Sequence, residues 1–257
     1  ANDIEEFPPG HFIDRDGKIT PYYEIPRDAP TISDASEAIE LIREELGRST
    51  RKRLQSDVPL GAFLSGGLDS SILAALAIRE IGTLKTYSVG LEGSPDIEAA
   101  RRVAQHIGSD HRELILTERA VKEALPRILY HLESFDKDLV RSAVPCWFVS
   151  EIASQEVKVV LTGEGADELF AGYTYYKGYG PTEALHRELR RSISTMHNIN
   201  LQRVDRMTMA HGLEARVPFL DTAMIALAAR LSPELKLRSA GGDLVEKWIL
   251  RKAFEDL

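Results

Sequence analysis

The run Leu64-Ser65-Gly66-Gly67-Leu68-Asp69-Ser70-Ser71 holds the densest chemistry in the sequence. Two adjacent glycines let a backbone turn tightly and approach a ligand closely. The Ser65, Ser70 and Ser71 hydroxyls and the loop's N–H groups can donate to phosphate oxygens. Asp69 is an acid among those donors. That makes sense if a cation joins the phosphate there, and Mg²⁺ is the usual one. The run follows an apolar stretch at 58–64 that reads as a buried strand, and it opens a helical stretch at 71–81. Strand, glycine loop and helix N-terminus together form a frame for an anion. The Walker pattern and the dinucleotide pattern G-x-G-x-x-G are both absent. A plain Gly-Gly turn with a Ser/Asp helix cap is the alternative, which the strand–loop–helix setting disfavours.

A second loop follows the clearest buried strand, 157–162, and reads Thr162-Gly163-Glu164-Gly165-Ala166-Asp167-Glu168. In an open α/β sheet, ligands bind outside the carboxyl ends of the strands. The two loops should therefore meet at one sheet edge, where Asp69 and Asp167 could share Mg²⁺ and Glu164 would face the same crevice. Helix-dipole complementation explains Asp167 and Glu168 without a ligand, but not the Gly-Glu-Gly triplet. Further on, Glu214 and Arg216 stand in a Gly/Pro-bounded turn that suits an ion pair, either as a loop brace or as a ligand contact. The seven histidines form no metal-binding pattern. Cys146, the single cysteine, reads as a small buried residue, and Tyr173, Tyr175 and Tyr176 as a packing cluster, with stacking on a base as the alternative.

The elements that must position these loops alternate. Strands are expected at 58–64, 84–91, 111–116 and 157–162, with helices at 71–81, 95–107, 120–132 and 144–154. Ser33 or Asp34 can cap a further helix that begins before Ile39. This rhythm predicts an α/β fold, a parallel sheet with helices on both faces. Beyond Ala171 only helices are expected, at 182–197, 199–211, 222–231 and 244–254, forming a helical subdomain. The first thirty or so residues, punctuated by proline and by the Asp16-Gly17 turn signal, read as strand and linker.

The 257 residues carry 32 Lys+Arg against 40 Asp+Glu, a net charge of -8 that argues against a general nucleic-acid binder. No apolar run approaches the roughly 20 residues that span a bilayer. A lone cysteine suits a reducing compartment such as the cytoplasm and excludes an internal disulfide. The acidic start, Ala1 to Glu6, does not read as a signal peptide.

The Ser-Gly-Gly-x-Asp-Ser loop after a strand resembles the pyrophosphate loop of the ATP pyrophosphatases. Taken with 162–173, 214–221, the Glu133-Ser134-Phe135-Asp136 and Leu139-Val140-Arg141-Ser142 pieces, and Glu246-Lys247-Trp248-Ile249-Leu250-Arg251, the chain resembles the synthetase domain of glutamine-hydrolysing asparagine synthetases over nearly its whole length. β-Lactam-forming and peptide-cyclising relatives share part of these segments. The resemblance implies an adenine nucleotide alpha-hydrolase-like fold, with 1–31 as the residue of an absent N-terminal glutaminase domain and 32–257 as the synthetase domain. Its α/β core would run to about 172 and a C-terminal tail would be missing. It implies ATP and Mg²⁺, aspartate and ammonia as substrates, a glutaminase domain of the same polypeptide as partner, and leaves a homodimer open.

For the residues, the resemblance implies Asp69 and Asp167 on the metal and the 65–71 loop on pyrophosphate. Leu64, Val89, Gly90, Thr162 and Gly163 would frame adenosine, although Leu64 and Val89 also read as plain core. Lys247 would sit at the α-phosphate, Glu164 would act as a base, and Arg141 would pair with the substrate carboxylate. Taken alone, Lys247 reads equally as an exposed helix lysine, and Arg141 as a surface arginine. The activity implied is conversion of aspartate to asparagine through β-aspartyl-AMP, with release of AMP and pyrophosphate. A β-lactam-type or peptide-cyclising ligase, and a nucleotide-binding module without turnover, stay open as alternatives.

Overall fold

A computed structural model describes residues 4–27 and 29–257. Ala1, Asn2 and Asp3 of the acidic start, and Asp28 of the linker, lie outside the described residues. The N-terminal hairpin pairs β1 (His11–Ile13) with β2 (Ile19–Pro21), antiparallel around Asp16-Gly17. Helix α1 (Ala35–Arg53) starts where Asp34 accepts the Glu37 N–H at 2.8 Å, so Asp34 is the cap.

Five parallel strands form the sheet: β3 (Leu60–Phe63), β4 (Lys85–Leu91), β5 (Asp110–Leu116), β6 (Val159–Leu161) and β7 (Glu214–Arg216). Their order is β5-β4-β3-β6-β7. Ala62, Leu64 and Leu161 pack on one face against α2 (Leu68–Ile81) and α3 (Pro95–Ile107). Tyr87 and Val160 pack on the other face against α5 (Lys137–Ala153). Val160 and Leu161 are neighbours on opposite faces, as a pleat requires. Helix α4 (Glu118–Leu132) lies against α5 through Ile128, Leu132 and Trp147. The α/β expectation is thus met, with helices on both faces.

After β6 come α6 (Ala166–Phe170), α7 (Glu183–Thr195), α8 (Asn200–Met209), α9 (Thr222–Arg230), α10 (Pro233–Lys236) and α11 (Trp248–Ala253). Leu169 and Phe170 of α6, Met224 of α9 and Ile249 of α11 share one apolar cluster with Ile42 of α1 and Leu73 of α2. Periodicity shows no strand beyond Ala171, and the structure corrects this. β7 adds to the sheet edge, and β8 (Arg238–Ala240) pairs with β9 (Asp243–Val245). Three-residue strands are too short to display a period of two. The helix expected at 244–254 is confined to α11, because β9 precedes it and Lys247 adopts a left-handed φ of 53°. Helix α5 begins at Lys137, ahead of the expected 144, because Asp136 caps it through the Asp138 and Leu139 N–H groups. Among the described residues no helix is long and apolar enough to cross a membrane.

Asp221 closes the α1 end of this core. Its side chain is 1% exposed, receives Lys52 at 2.9 Å and Arg53, and caps α9 through the Ala223 N–H at 3.1 Å. Burial alone would raise its pKa. The Lys52 and Arg53 hydrogen bonds outweigh that and hold it well below the usual carboxylate range. A depressed folded-state pKa gives stability that is complete above the unfolded value of about 3.9 and is lost as pH falls below it. Asp221→Ala should lower the urea unfolding free energy by about 1–3 kcal/mol at neutral pH, since it removes the buried acceptor that caps α9 and binds Lys52 and Arg53. The gap from the parent should narrow below about pH 4. A gap that does not change with pH would contradict this reading.

Candidate active site

Strand order reverses at β3. The chain runs from β3 to β4 and β5 on one side, then returns to place β6 on the other. That reversal opens a crevice at the carboxyl ends of β3 and β6, where the loops after Phe63 and Leu161 lie side by side. A Cβ added at Gly163 would stand 3.0 Å from the Asp69 Cβ, so the two loops touch. In the first loop Gly66 has φ 76°, and a Cβ there would meet the Ala100 N of α3 at 2.4 Å. Ser65 Oγ lies 3.0 Å from Ser70 Oγ, and the Gly67 N–H donates to Ser65 Oγ at 3.3 Å. Gly67 caps α2 with no side-chain acceptor, which leaves first-turn N–H groups for a ligand.

Lys247 joins the loops. Its Nζ donates to Asp69 Oδ2 at 2.6 Å and lies 2.7 Å from Asp167 Oδ1, and the residue is buried. Burial disfavours its charge, but Asp69 and Asp167 outweigh burial and its pKa is raised. The Asp69 pKa is also raised, because burial exceeds the pull of Lys247. Gly172 makes room for this contact. A Cβ there would stand 2.0 Å from Asp167 Oδ1 and 2.1 Å from Lys247 Cε.

A cavity of about 410 Å³ opens on this crevice. Leu64, Ser65, Asp69, Ser70, Val89, Thr162, Gly163, Glu164 and Asp167 line it, as does Ser142. Gly66, Gly67, Leu68, Ser71 and Gly90 belong to the framing backbone rather than the lining. The Ser71 hydroxyl donates to the Gly67 carbonyl at 2.7 Å, and the residue is not buried. Arg141 is exposed on α5 and does not line the cavity; the guanidinium that does is Arg203 of α8. Arg203 hydrogen-bonds Glu164, and its Nε is buried without an acceptor. Burial raises the Glu164 pKa against the opposing pull of Arg203. Cys146 also lines the cavity, with its thiol pushed up to about 12 by burial.

Arg203, Cys146 and Gly172 are the residues that sequence reasoning missed. Arg203 sits in an ordinary helical stretch with no motif around it, whereas Gly172 stands inside the second loop's run and could have been noted. Glu214 and Arg216 do form the expected pair at 2.7 Å, and Arg216 also donates to the Arg53 and Gln55 carbonyls, so the pair braces the sheet edge.

The residues fit a hard divalent cation. Asp69 Oδ1 is buried with no hydrogen-bond partner among the described residues, which leaves a carboxylate oxygen with unused acceptor capacity. Among the described residues no group of three or more His, Cys, Asp or Glu could hold a metal alone. Two carboxylates completed by phosphate oxygens and water are the usual arrangement for Mg²⁺.

A sequence-family model for asparagine synthase matches residues 41–180 and 178–257. An asparagine synthetase [glutamine-hydrolyzing] of Triphysaria versicolor is 39% identical over 268 residues, covering 100% of this chain and 46% of that protein. A probable asparagine synthetase [glutamine-hydrolyzing] of Schizosaccharomyces pombe is 40% identical over 274 residues, covering 98% of this chain and 49% of that protein. The chain thus spans about half the length of the curated relatives it matches. An NAD+ synthetase from Burkholderia pseudomallei aligns at 17% identity over 88% of each chain with a TM-score of 0.37, too loose a superposition to bear on the site.

Gly172→Ala should break the Lys247–Asp167 contact and cost about 1–3 kcal/mol of unfolding free energy, as overpacking does. Gly178→Ala is the control, because nothing lies within 4 Å of its added Cβ. Urea denaturation of both variants decides it, and equal stability would show that the contact is not held as described.

Proposed function

This chain belongs to the asparagine synthase family, and from that premise we propose that it activates a carboxylate with ATP and converts it to an amide. Aspartate is the acceptor and asparagine the product, through β-aspartyl-AMP. In the whole protein, ammonia comes from glutamine by way of a glutaminase domain of the same polypeptide. The observation that carries this reading is the Lys247 ammonium held between Asp69 and Asp167 beside a serine- and glycine-lined loop. Such a site suits the displacement of pyrophosphate from ATP better than the binding of a neutral ligand.

A carboxylate is a poor electrophile at neutral pH. In the proposed first step a carboxylate oxygen attacks the α-phosphorus of ATP, the bond to the β-phosphate oxygen breaks, and pyrophosphate leaves. Ser65, Ser70 and the open N–H groups at the start of α2 receive that pyrophosphate. Lys247 offsets the negative charge that develops at the α-phosphate. Asp69 and Asp167 would hold Mg²⁺, which when bound neutralises phosphate charge. Ammonia then attacks the acyl carbon, AMP leaves, and Glu164 takes the proton released by the amine. Arg203 holds Glu164 in place. Its unpartnered Nε–H points to Arg203, rather than the exposed Arg141, as the donor for the acceptor's second carboxylate.

The test is aspartate-dependent exchange of labelled pyrophosphate into ATP, measured on the full-length protein. Exchange is expected, with Asp69→Ala lowering it by roughly 100-fold or more, the scale of a lost transition-state contact. No exchange in the folded parent would overturn the proposal. Amide formation should also show an acid limb above the usual carboxylate range, because burial raises the Glu164 pKa and only its ionised form accepts a proton. Glu164→Gln should lose that limb along with most of the rate. A parent profile that is flat through this range would remove Glu164 from the role.

A further inference from the structure

A second cavity, of about 760 Å³, lies away from the sheet edge between the N-terminal segment and α7. Its residues share nothing with the nucleotide-type cavity. Ile193, Met196, Leu220 and Ile225 give it apolar walls. Arginines crowd it: Arg187, Arg190 and Arg191 from one side of α7, and Arg27 from the segment opposite.

Most of these charges are already answered. Arg191 meets Glu188 at 2.6 Å, Arg187 meets Glu183 at 3.7 Å, and Arg27 meets Glu24 at 4.0 Å. Arg190 is different. It has no acid or acceptor among the described residues, and its Nε is buried. The Tyr23 hydroxyl on the facing segment is also buried, with no partner among the described residues. A buried donor left without an acceptor carries a full desolvation cost, so two such donors on one cavity are unusual. A second basic side chain lies behind Arg190. Arg190 and Ile193 also line a small void that holds Lys236. Lys236 is buried, it has no ion pair among the described residues, and burial pulls its pKa down to about 7. Arg190 and Lys236 thus carry no ion pair among the described residues, while Glu24, the acid that lines the cavity, is taken up by Arg27.

We propose that this second cavity binds an organic anion, a carboxylate or phosphate on an apolar body, whose head group accepts from Arg190 Nε–H and the Tyr23 hydroxyl. The apolar walls take the body, and Arg190, the rim arginine with no acid among the described residues, draws the anion in. The site does not depend on the nucleotide chemistry proposed above, and it stands or falls separately.

The experiment is calorimetric titration of the full chain with 1-naphthoate in EDTA, which leaves the acid-lined nucleotide cavity without a cation to attract the probe. Binding is expected, and uncharged 1-naphthylmethanol should bind at least roughly tenfold more weakly. Arg190→Met should weaken naphthoate roughly tenfold or more, and Tyr23→Phe by a smaller factor, while Arg203→Met in the first cavity leaves it unchanged. Circular dichroism checks folding, and if Arg190→Met does not fold, Tyr23→Phe decides. No binding up to about 10 mM, or affinity insensitive to both variants, would overturn the proposal.

Discussion

The Lys247 ammonium between Asp69 and Asp167 is the contact on which the site depends. Two carboxylates this close repel, by about 4 kcal/mol at 4 Å in a medium of effective dielectric 20. A cation between them reverses the sign. Lys247 is itself buried, and burial disfavours its charge, so neither the lysine nor the acids would be stable there alone. The three residues come from three places: the first turn of α2, the first turn of α6, and the position just before α11. The fold must therefore bring three distant segments to one point within hydrogen-bond reach.

The sheet and one apolar cluster accomplish this. The order reversal at β3 sets the two glycine loops side by side, and Gly163 lets them touch. Leu73 on α2, Phe170 on α6 and Ile249 on α11 pack into the same cluster, so the helices that carry the charges are held by shared burial. Polar satisfaction then discriminates between sites. Asp221 is buried too, but several basic groups and a helix N–H answer it. Asp69 Oδ1 and Arg203 Nε are buried and unanswered, and both belong to residues that line the first cavity. Unpartnered groups on a cavity wall can bond a ligand there; those fully paired hold the chain together.

Much of this was legible in the residues. The 64–71 and 162–168 loops, with Asp69, Glu164 and Asp167, are signalled locally, because glycine and acid must stand next to a strand end to do this work. Helix α3 occupies the expected 95–107, with Pro95 at its first position. Contacts made across the chain were not legible. Arg203 reaches Glu164 from 39 positions away, and no local pattern announces it. Arg141 looked suitable by type but lies on the exposed side of α5, because the register set by the Asp136 cap turns Ser142, not Arg141, to the cavity. β7 is too short for periodicity, and it exists because β6 offers it an edge.

The proposed reaction transfers AMP, not phosphate, to a carboxylate. Aspartate labelled with oxygen-18 in its β-carboxylate tests it most directly, with the full-length protein, ATP and ammonia. Adenylation leaves a carboxylate oxygen on the nucleotide when the amide forms. One oxygen-18 atom is expected in the phosphoryl group of AMP and none in inorganic phosphate or pyrophosphate. Oxygen-18 in inorganic phosphate, with ADP as the nucleotide product, would contradict it.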